Sequence, residues 1–478
     1  MRTERCTRGL ESDPRTRVSH VPFTFIDLFA GVGGFHAALG GKHRFSTHTG
    51  LGGECLFASE IDDPATRVYQ ANWGLKPEGD IVALTMPKVD PRIPEHDVLC
   101  GGFPCQPFSK SGKQRGMEEA RGTLFYNICK IIEAHTPPVI LLENVRNIAG
   151  PRHRSDWEMI IELLRGLGYR VSSEPAVFSP HLLPPSMNGS PQVRERVFIA
   201  GTYIGSDAVN HTNLDPLLIP KPVPGWNPMS WRLEDALDDE HTILNRDAYL
   251  ITPREERIIQ VWNDFLKCIP LNEKLPGFPV WADALVPEPI IPSDAQPWKV
   301  NFLKKNSALF NRHRKELTRW LEANNYLEDL PPSRQKFEWQ AQDSTRDLYE
   351  CLIHFRPSGI RVKKPTYVPA LVAITQTSVV GSRRRRITPR EAAALQGFPK
   401  NFDFGTQGDA LSYKQMGNAV AVGAVQHVFK MLLTRDAEFL SVLHPEFFEK
   451  VNHLIDTSLL NGEQMMMPKA YAALAPAA

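Results

Sequence analysis

Three kinds of side chain in this 478-residue chain could do covalent chemistry: a thiol on a turn, a carboxyl ending an apolar strand, and two guanidinium groups two residues apart. Cys105 sits in "GGFPCQPFSKSG", just after the apolar stretch "HDVLC". Cysteine more often fills a core as a small hydrophobe, but proline and glycine neighbours hold this one on a turn. Lys110, Lys113 and Arg115 follow it, a positive field that lowers a thiol pKa and attracts phosphates. A structural cysteine beside a solvated basic loop is the alternative that this motif alone leaves open. Glu143 closes "PVILLENV", so its carboxyl is partly desolvated and can hold a proton near neutrality. A thiolate adding to carbon while an acid protonates a ring nitrogen is what attack on an electron-poor ring requires. A capping glutamate is the plainer reading of Glu143 taken alone. Arg194 and Arg196 alternate along "QVRERVFIAG" and share one face of a strand. They suit a phosphate, a carboxylate or a polar base edge, with salt bridges as the alternative.

A second set of residues suits a ligand. "DLFAGVGGF" follows a strand and opens a helix, and Gly31, Gly33 and Gly34 allow close approach to the backbone near a helix N-terminus. The spacing differs from G-x-G-x-x-G, so a grip on pyrophosphate is not implied. Glu60 ends the next strand, "CLFAS", where an acidic residue meets ribose hydroxyls, and Asp80 in "GDI" offers a further polar group. Together they point to an adenosine-containing ligand without requiring phosphates.

The elements that must position these groups alternate strand and helix from about residue 23 to 201, which predicts an α/β fold with a mainly parallel sheet and helices on both faces. "TPREERIIQVWNDFLK" and "TPREAAALQGFP" each open with Thr, Pro and a Glu three residues on, which predicts two helices started by capping boxes. "YKQMGNAVAVGAVQHVFKML" reads as a buried helix. Residues 202–386 are rich in Pro and Trp and lack the alternation. The expected organisation is a flexible tail over 1–20, a catalytic domain over 21–201 completed by 411–435, a recognition domain over 202–410, and a C-terminal helix and tail over 436–478. Net charge is +1, which excludes a uniformly basic coat but not a local basic face. Seven cysteines without a C-x-x-C pair argue against a disulfide scaffold or structural zinc, and for a reducing, cytoplasmic setting. No apolar run is long enough to span a bilayer, and the polar, Arg-rich start lacks the apolar stretch of a signal peptide.

The ordered motifs "DLFAGVGGF", "GGFPCQPFS", "ENVRN", "QVRERVF", "RITPREAAALQGFP" and "YKQMGNAV" resemble those of the DNA (cytosine-5) methyltransferases. The resemblance covers about residues 23–201 and 387–422. It implies a Rossmann-like domain using S-adenosylmethionine and no metal. Phe29, Ala30, Gly31, Gly33 and Gly34 would cradle the donor, with Glu60 on its ribose. Ile61 and Ile81 would flank the adenine and Asp80 would bind its amino group, while Pro104, Asn418 and Val420 complete the pocket. Cys105 is implied as the nucleophile on C6 of a cytosine flipped out of duplex DNA, Glu143 as the group on N3, and Arg194 with Arg196 as further site residues. Ser109, Lys110 and Ser111 would close behind the base. Recognition would fall to the middle segment, where Arg361, Lys363, Arg383 and Arg384 stand in basic runs suited to phosphate contact, a solvated charge run being the alternative. The resemblance further implies a monomer that modifies host DNA and is paired in function with a restriction endonuclease, although a solitary or phage enzyme would look the same. A tRNA cytosine-5 methyltransferase of the same fold is the runner-up. It is disfavoured by the long middle segment and by the lack of that branch's Cys-Phe-Thr triplet. A non-catalytic relative would be expected to lose Cys105 or Glu143, and an oxidoreductase lacks its phosphate glycines. Cys105→Ser is expected to abolish methyl transfer to DNA while leaving the thermal unfolding midpoint within a few degrees. Retained turnover in a tritiated-methyl assay would remove the nucleophile.

Overall fold

The structure is a computed structural model that describes residues 21–41, 50–104, 123–209, 216–343, 345–372 and 378–456. Its first part opens with β1 (Thr24–Leu28), α1 (Gly34–Leu39), β2 (Glu54–Ser59), α2 (Asp63–Trp73), α3 (Ile81–Thr85) and β3 (Val98–Gly102). There follow α4 (Leu124–His135), β4 (Val139–Val145), α5 (Arg154–Gly166), β5 (Tyr169–Val171), β6 (Ala176–Phe178), β7 (Gln192–Val193) and β8 (Arg196–Tyr203). The strands join in the order β2-β1-β3-β4-β8-β5, with β6 also on β8. Pairing is parallel from β2 through β4 and antiparallel around β8.

That register follows from the residues. The first six residues of β4 are buried, as a strand covered on both faces must be. One face packs against α1 and α2 through Phe25, Phe35, Tyr69 and Trp73. The other packs against α3, α4 and α5 through Ile26, Ile128, Ile132, Ile160 and Leu164. Because β1 to β4 run in parallel, their carboxyl ends meet at one edge, and Phe29 to Gly34, Glu60, Ile61, Pro104 and Glu143 lie at or just after such ends, whereas Asp80 and Ile81 stand at the start of α3.

The middle of the chain builds a third core of its own. Its elements are α6 (Pro253–Lys267), β9 (Val280–Trp281), α7 (Pro297–Arg312), α8 (Arg314–Ala323), β10 (Lys336–Gln340), β11 (Leu352–Arg356) and β12 (Gly359–Lys363), then β13 (Val368–Pro369), β14 (Val379–Val380) and β15 (Arg385–Arg386). A six-stranded sheet in the order β15-β14-β11-β12-β10-β9 packs on Trp262, Phe265 and Trp320. Trp262 stacks on Phe337 at 4.7 Å and 7°. The expected borders at 202 and 410 do not coincide with this packing. Leu217, Ile219, Val223, Leu233, Val368 and Ile387 join the first core, because β13 pairs with β7 and the chain before α6 lies on the first body.

Both TPRE helices form as expected. Thr252 and Glu255 complete a capping box on α6, and Thr388 and Glu391 complete one on α9 (Pro389–Leu395). The helix expected across "YKQMGNAVAVGAVQHVFKML" is instead two, α10 (Asp409–Asn418) and α11 (Val422–Arg435). The break at Ala419–Ala421 frees carbonyls for a buried arginine, described below. The C-terminal region is more than one helix and a tail: α12 (Ala437–Leu443) and α13 (Pro445–Val451) bury Leu440, Phe447 and Val451 in the first core. No helix among the described residues is long and apolar enough to cross a membrane.

The turn after β1 needs glycine at one position above all. Gly33 has φ +89°, and a Cβ there would lie 2.1 Å from Trp73 Nε1, which itself donates to the Val32 carbonyl at 2.9 Å. Gly33→Ala is expected to cost about 3 kcal/mol through strain and overpacking. Gly79→Ala, where a Cβ meets nothing within 4 Å, should stay within about 0.5 kcal/mol. Chemical denaturation of both variants checks the contrast; equal midpoints would show that the turn yields freely.

Candidate active site

A cavity of about 490 Å³ opens at the carboxyl edge of β1 to β4. It gathers Phe29, Ala30, Gly31 and Gly34 from the first turn, Glu60 and Ile61 from the second, and Pro104 from the third. Glu143, Arg194, Arg196, Asn418 and Val420 complete it. Residues separated by nearly 400 positions in sequence therefore face one space.

The first turn is held by main-chain bonds and by Glu60. Phe29, Gly31 and Gly33 all take positive φ. Ala30 N donates to Ser59 O at 2.9 Å and Gly33 N to Ala30 O at 2.8 Å. Glu60 Oε2 accepts from Gly31 N, and its Oε1 accepts from the Ile61 and Asp62 amides, all at 2.8 Å. These bonds aim the carboxylate along the cavity wall while leaving lone pairs for a ligand hydroxyl. A Cβ at Gly31 would meet nothing within 4 Å, so the turn borders open space there. Val420 presses on the same turn: a Cβ at Gly34 would lie 2.6 Å from its Cγ2.

Two expected ligand residues stand apart from the rest. Asp80 is exposed and caps α3 through Val82 N at 2.9 Å, and Ile81 is buried behind it; neither lines the cavity. Ile61 does line it and is 73% exposed, an apolar side chain at the mouth without a protein partner face. Gly33 is turned away, toward Trp73.

The acid end of the site is compact. Glu143 is 8% exposed and its Oε1 lies 2.9 Å from Arg196 Nε. Burial raises its pKa above the ordinary carboxylate value, and Arg196 and Arg194 offset part of that rise. Arg194 is 2% exposed. Its Nη1 donates to Leu371 O at 3.0 Å, and its Nη2 donates to Gly417 O and Ala419 O, both at 2.8 Å. Burial, with Arg196 adding to it, pushes Arg194 down to about 9, so it stays charged at neutral pH. Both guanidinium groups line the cavity, but they do not share a strand: β7 ends at Val193 and β8 begins at Arg196, so Arg194 lies in the link between them. Arg194, however, spends its Nη atoms on the break between α10 and α11.

Cys105, Ser109, Lys110 and Ser111 lie outside the described residues. The chain leading to the thiol is described, and Asn144 anchors it: Nδ2 donates to Phe103 O at 2.8 Å, and Phe103 packs on Phe125 at 5.3 Å. Asn144 was not singled out from the sequence, although it stands in the "ENV" triplet. Asp62 and Lys414 were also missed. They pair at 3.2 Å and both line the cavity, joining α2 to α10 across 352 positions of sequence. No spacing rule could have matched them.

The basic runs meet internal carboxylates. Arg361 and Arg356 both donate to Glu338 Oε2, at 2.9 and 2.8 Å. Lys363 is half-buried, and burial together with Arg361 lowers its pKa. Arg383 pairs with Glu234 and Glu240, and Arg384 with Glu256. The "RRRR" run, expected on DNA phosphates, is thus an ion-pair web between parts of the protein, because five glutamates converge on it: Glu234, Glu240, Glu255, Glu256 and Glu391. Among the described residues, no group of three or more His, Cys, Asp or Glu side chains could hold a metal ion.

Comparison with known proteins identifies the family. The family model "C-5 cytosine-specific DNA methylase" matches residues 23–434. The type II methyltransferase M.AluI of Cellulosimicrobium cellulans is 42% identical, over 89% of this chain and 94% of that protein. M.DsaV of Dactylococcopsis salina is 38% identical over 86% of each, and M.HpaII of Haemophilus parainfluenzae is 30% identical over 89% and 92%.

The raised pKa of Glu143 has a stability consequence. Such a carboxyl favours the folded state below its unfolded pKa, and that contribution is lost as pH rises through the folded value. Glu143→Gln carries no such loss. Its unfolding midpoint relative to the unsubstituted protein should therefore climb between about pH 4.5 and neutrality. A difference that stays flat, or falls, across that range in calorimetry would show that the arginines outweigh burial.

Proposed function

The chain belongs to the C-5 cytosine-specific DNA methylase family and is a DNA (cytosine-5) methyltransferase; from that premise we propose that the cavity at the strand ends binds S-adenosylmethionine and receives a cytosine turned out of duplex DNA. One observation carries the reading. Glu143 and the Phe103–Pro104 turn leading to Cys105 are tied through Asn144 and line the cavity bordered by Glu60 and the glycine turn.

The residues suit this donor. A glycine turn without phosphate spacing, an acidic group aimed along the wall and a roomy space beside Gly31 match a nucleoside carrying an amino acid rather than a dinucleotide. Phe29 to Gly34 would cradle it, Glu60 would take the ribose hydroxyls, and Pro104, Asn418 and Val420 would close its sides. Ile61 would lie against the adenine. Asp80 and Ile81 lie outside the lining of the cavity and receive no part in holding the donor. The donor, when bound, supplies an electrophilic methyl group.

The chain's own residues do the rest. The Cys105 thiolate adds to C6 of the cytosine. Glu143, whose pKa burial raises, shares a proton with N3, so that the negative charge entering the ring is held there rather than at carbon. Arg196, 2.9 Å from Glu143, holds that carboxyl in place. After the methyl reaches C5, a base removes the C5 proton and the sulfur leaves, restoring the ring. As the resemblance implies, Ser109, Lys110 and Ser111 would close behind the base. Arg361 and Lys363, on the partly exposed face of β12, are the remaining candidates for phosphate contact.

The biological reading is a monomeric, cytoplasmic modification enzyme whose methylation protects host DNA, paired in function with a restriction endonuclease. The family description and the long middle segment both weigh against a tRNA substrate.

A duplex carrying 5-fluorocytosine in place of cytosine tests the covalent route, because fluorine at C5 cannot leave as a proton does. With S-adenosylmethionine present, a protein–DNA species that survives denaturant should form, and Cys105→Ser should not form it. Glu143→Gln should slow its appearance by about 10²–10⁴-fold. A protein that methylates DNA yet traps none of this duplex would overturn the mechanism.

A further inference from the structure

The run Arg383–Arg386 is the one motif of the sequence that the reaction leaves unused, and its surroundings give it a task. The chain passes from the third core to the first just before and along it, for Val379 packs in the third core while Val380 and Ile387 pack in the first. The connection into α6 runs beside it: Ile251 N donates to Arg384 O at 3.0 Å, and Leu250 bridges Arg385. These two connections thus run side by side as a narrow seam, while the chain also crosses to the first core at Val368, where β13 pairs with β7.

The arginines of the seam reach to both sides. Arg385 has a side chain with no exposure, and it donates to both oxygens of Glu391, at 2.9 and 2.8 Å, and to Glu240 at 2.7 Å. Glu391 opens α9, whose Ala392 and Ala393 are first-core residues. Arg386 donates to Glu255 Oε1 and Arg384 to Glu256 Oε1, the latter while lying 4.4 Å over the Tyr349 ring. Glu255 and Glu256 open α6, whose Ile258, Trp262 and Phe265 are third-core residues. Each TPRE box therefore works twice. One carboxylate oxygen of Glu255 caps its helix through Thr252 N at 2.9 Å, and the other takes an arginine of the seam.

We infer that Arg384 and Arg386 are positioning residues: they clamp the N-terminus of α6 to a pivot made by Arg385, and so set the angle at which the second body presents DNA to the catalytic cavity. The inference rests on the DNA reading above. Arg385 is the fixed point, since a buried pair is hard to break from one side. The Arg384–Glu256 and Arg386–Glu255 pairs are partly exposed, with side-chain exposures of 59% and 47% and of 29% and 17%. They can open and are weakened by salt.

Arg386→Met tests this, because it removes the charge, keeps the stem and leaves the Thr252–Glu255 cap. Arg386→Lys is the conservative partner, whereas Arg385→Met would strand Glu391 and endanger folding. In the free protein, hydrogen exchange at the Leu250–Glu256 amides should speed up severalfold in Arg386→Met. On unmethylated bacterial genomic DNA, kcat should fall about tenfold. S-adenosylmethionine affinity by calorimetry should stay within twofold, and Arg386→Lys should recover part of both losses. Unchanged exchange, or faster exchange with unchanged kcat, overturns the inference. So does weaker DNA binding with a salt slope lowered by about one and exchange unaltered, which would make Arg386 a phosphate contact. If the unsubstituted protein methylates no DNA, the reading of the site fails instead, while the exchange measurement still judges the clamp.

Discussion

A guanidinium group buried against three carbonyls holds the site together. Arg194 lies in the link between β7 and β8, and its Nη atoms take Leu371 O, Gly417 O and Ala419 O. A charge in so dry a place is costly unless hydrogen bonds replace its water. Here the replacement comes from the last turn of α10 and the residue after it, where helix carbonyls lack partners and the helix dipole is negative. The bond holds the break between α10 and α11. It also explains how a segment more than 200 residues away reaches the glycine turn, where Val420 presses on Gly34.

The chemistry of Glu143 follows from the balance around it. Burial raises the carboxyl's pKa, and Arg196 and Arg194 lower it. The two act in opposition, and burial is the larger. A group poised in this way can share a proton with a ring nitrogen and take it back, which a fully exposed glutamate on the same strand could not do. Asn144, one residue on, faces the other way and fixes the Phe103 carbonyl, so one short strand end serves both the acid and the approach to the thiol.

Charge also decides how the two bodies meet. Arginines that look free in a string of letters are spent on glutamates from α6, α9 and the chain before α6. A net charge of +1 on the whole chain conceals this arrangement, since a sum cannot say which charges face one another.

The sequence by itself determined what depends on neighbours in the chain. Buried strands such as Val139–Val145 and both capping boxes were legible, because apolar runs and cap residues act over a few positions. So was the placement of Glu60 and Glu143 at strand ends, and the parallel run of the first strands then put both on one edge of the sheet, lining one cavity. Tertiary structure alone decided the rest. The Asp62–Lys414 pair, the carbonyls that receive Arg194, the break at Ala419–Ala421 and the partners of Arg383–Arg386 all join segments far apart in the chain. The border between the bodies moved for the same reason: Leu217, Val368 and Ile387 carry no local mark of the core they join. Which distant group neutralises a charge or covers an apolar face is set by packing in three dimensions, and no local pattern of residue types encodes it.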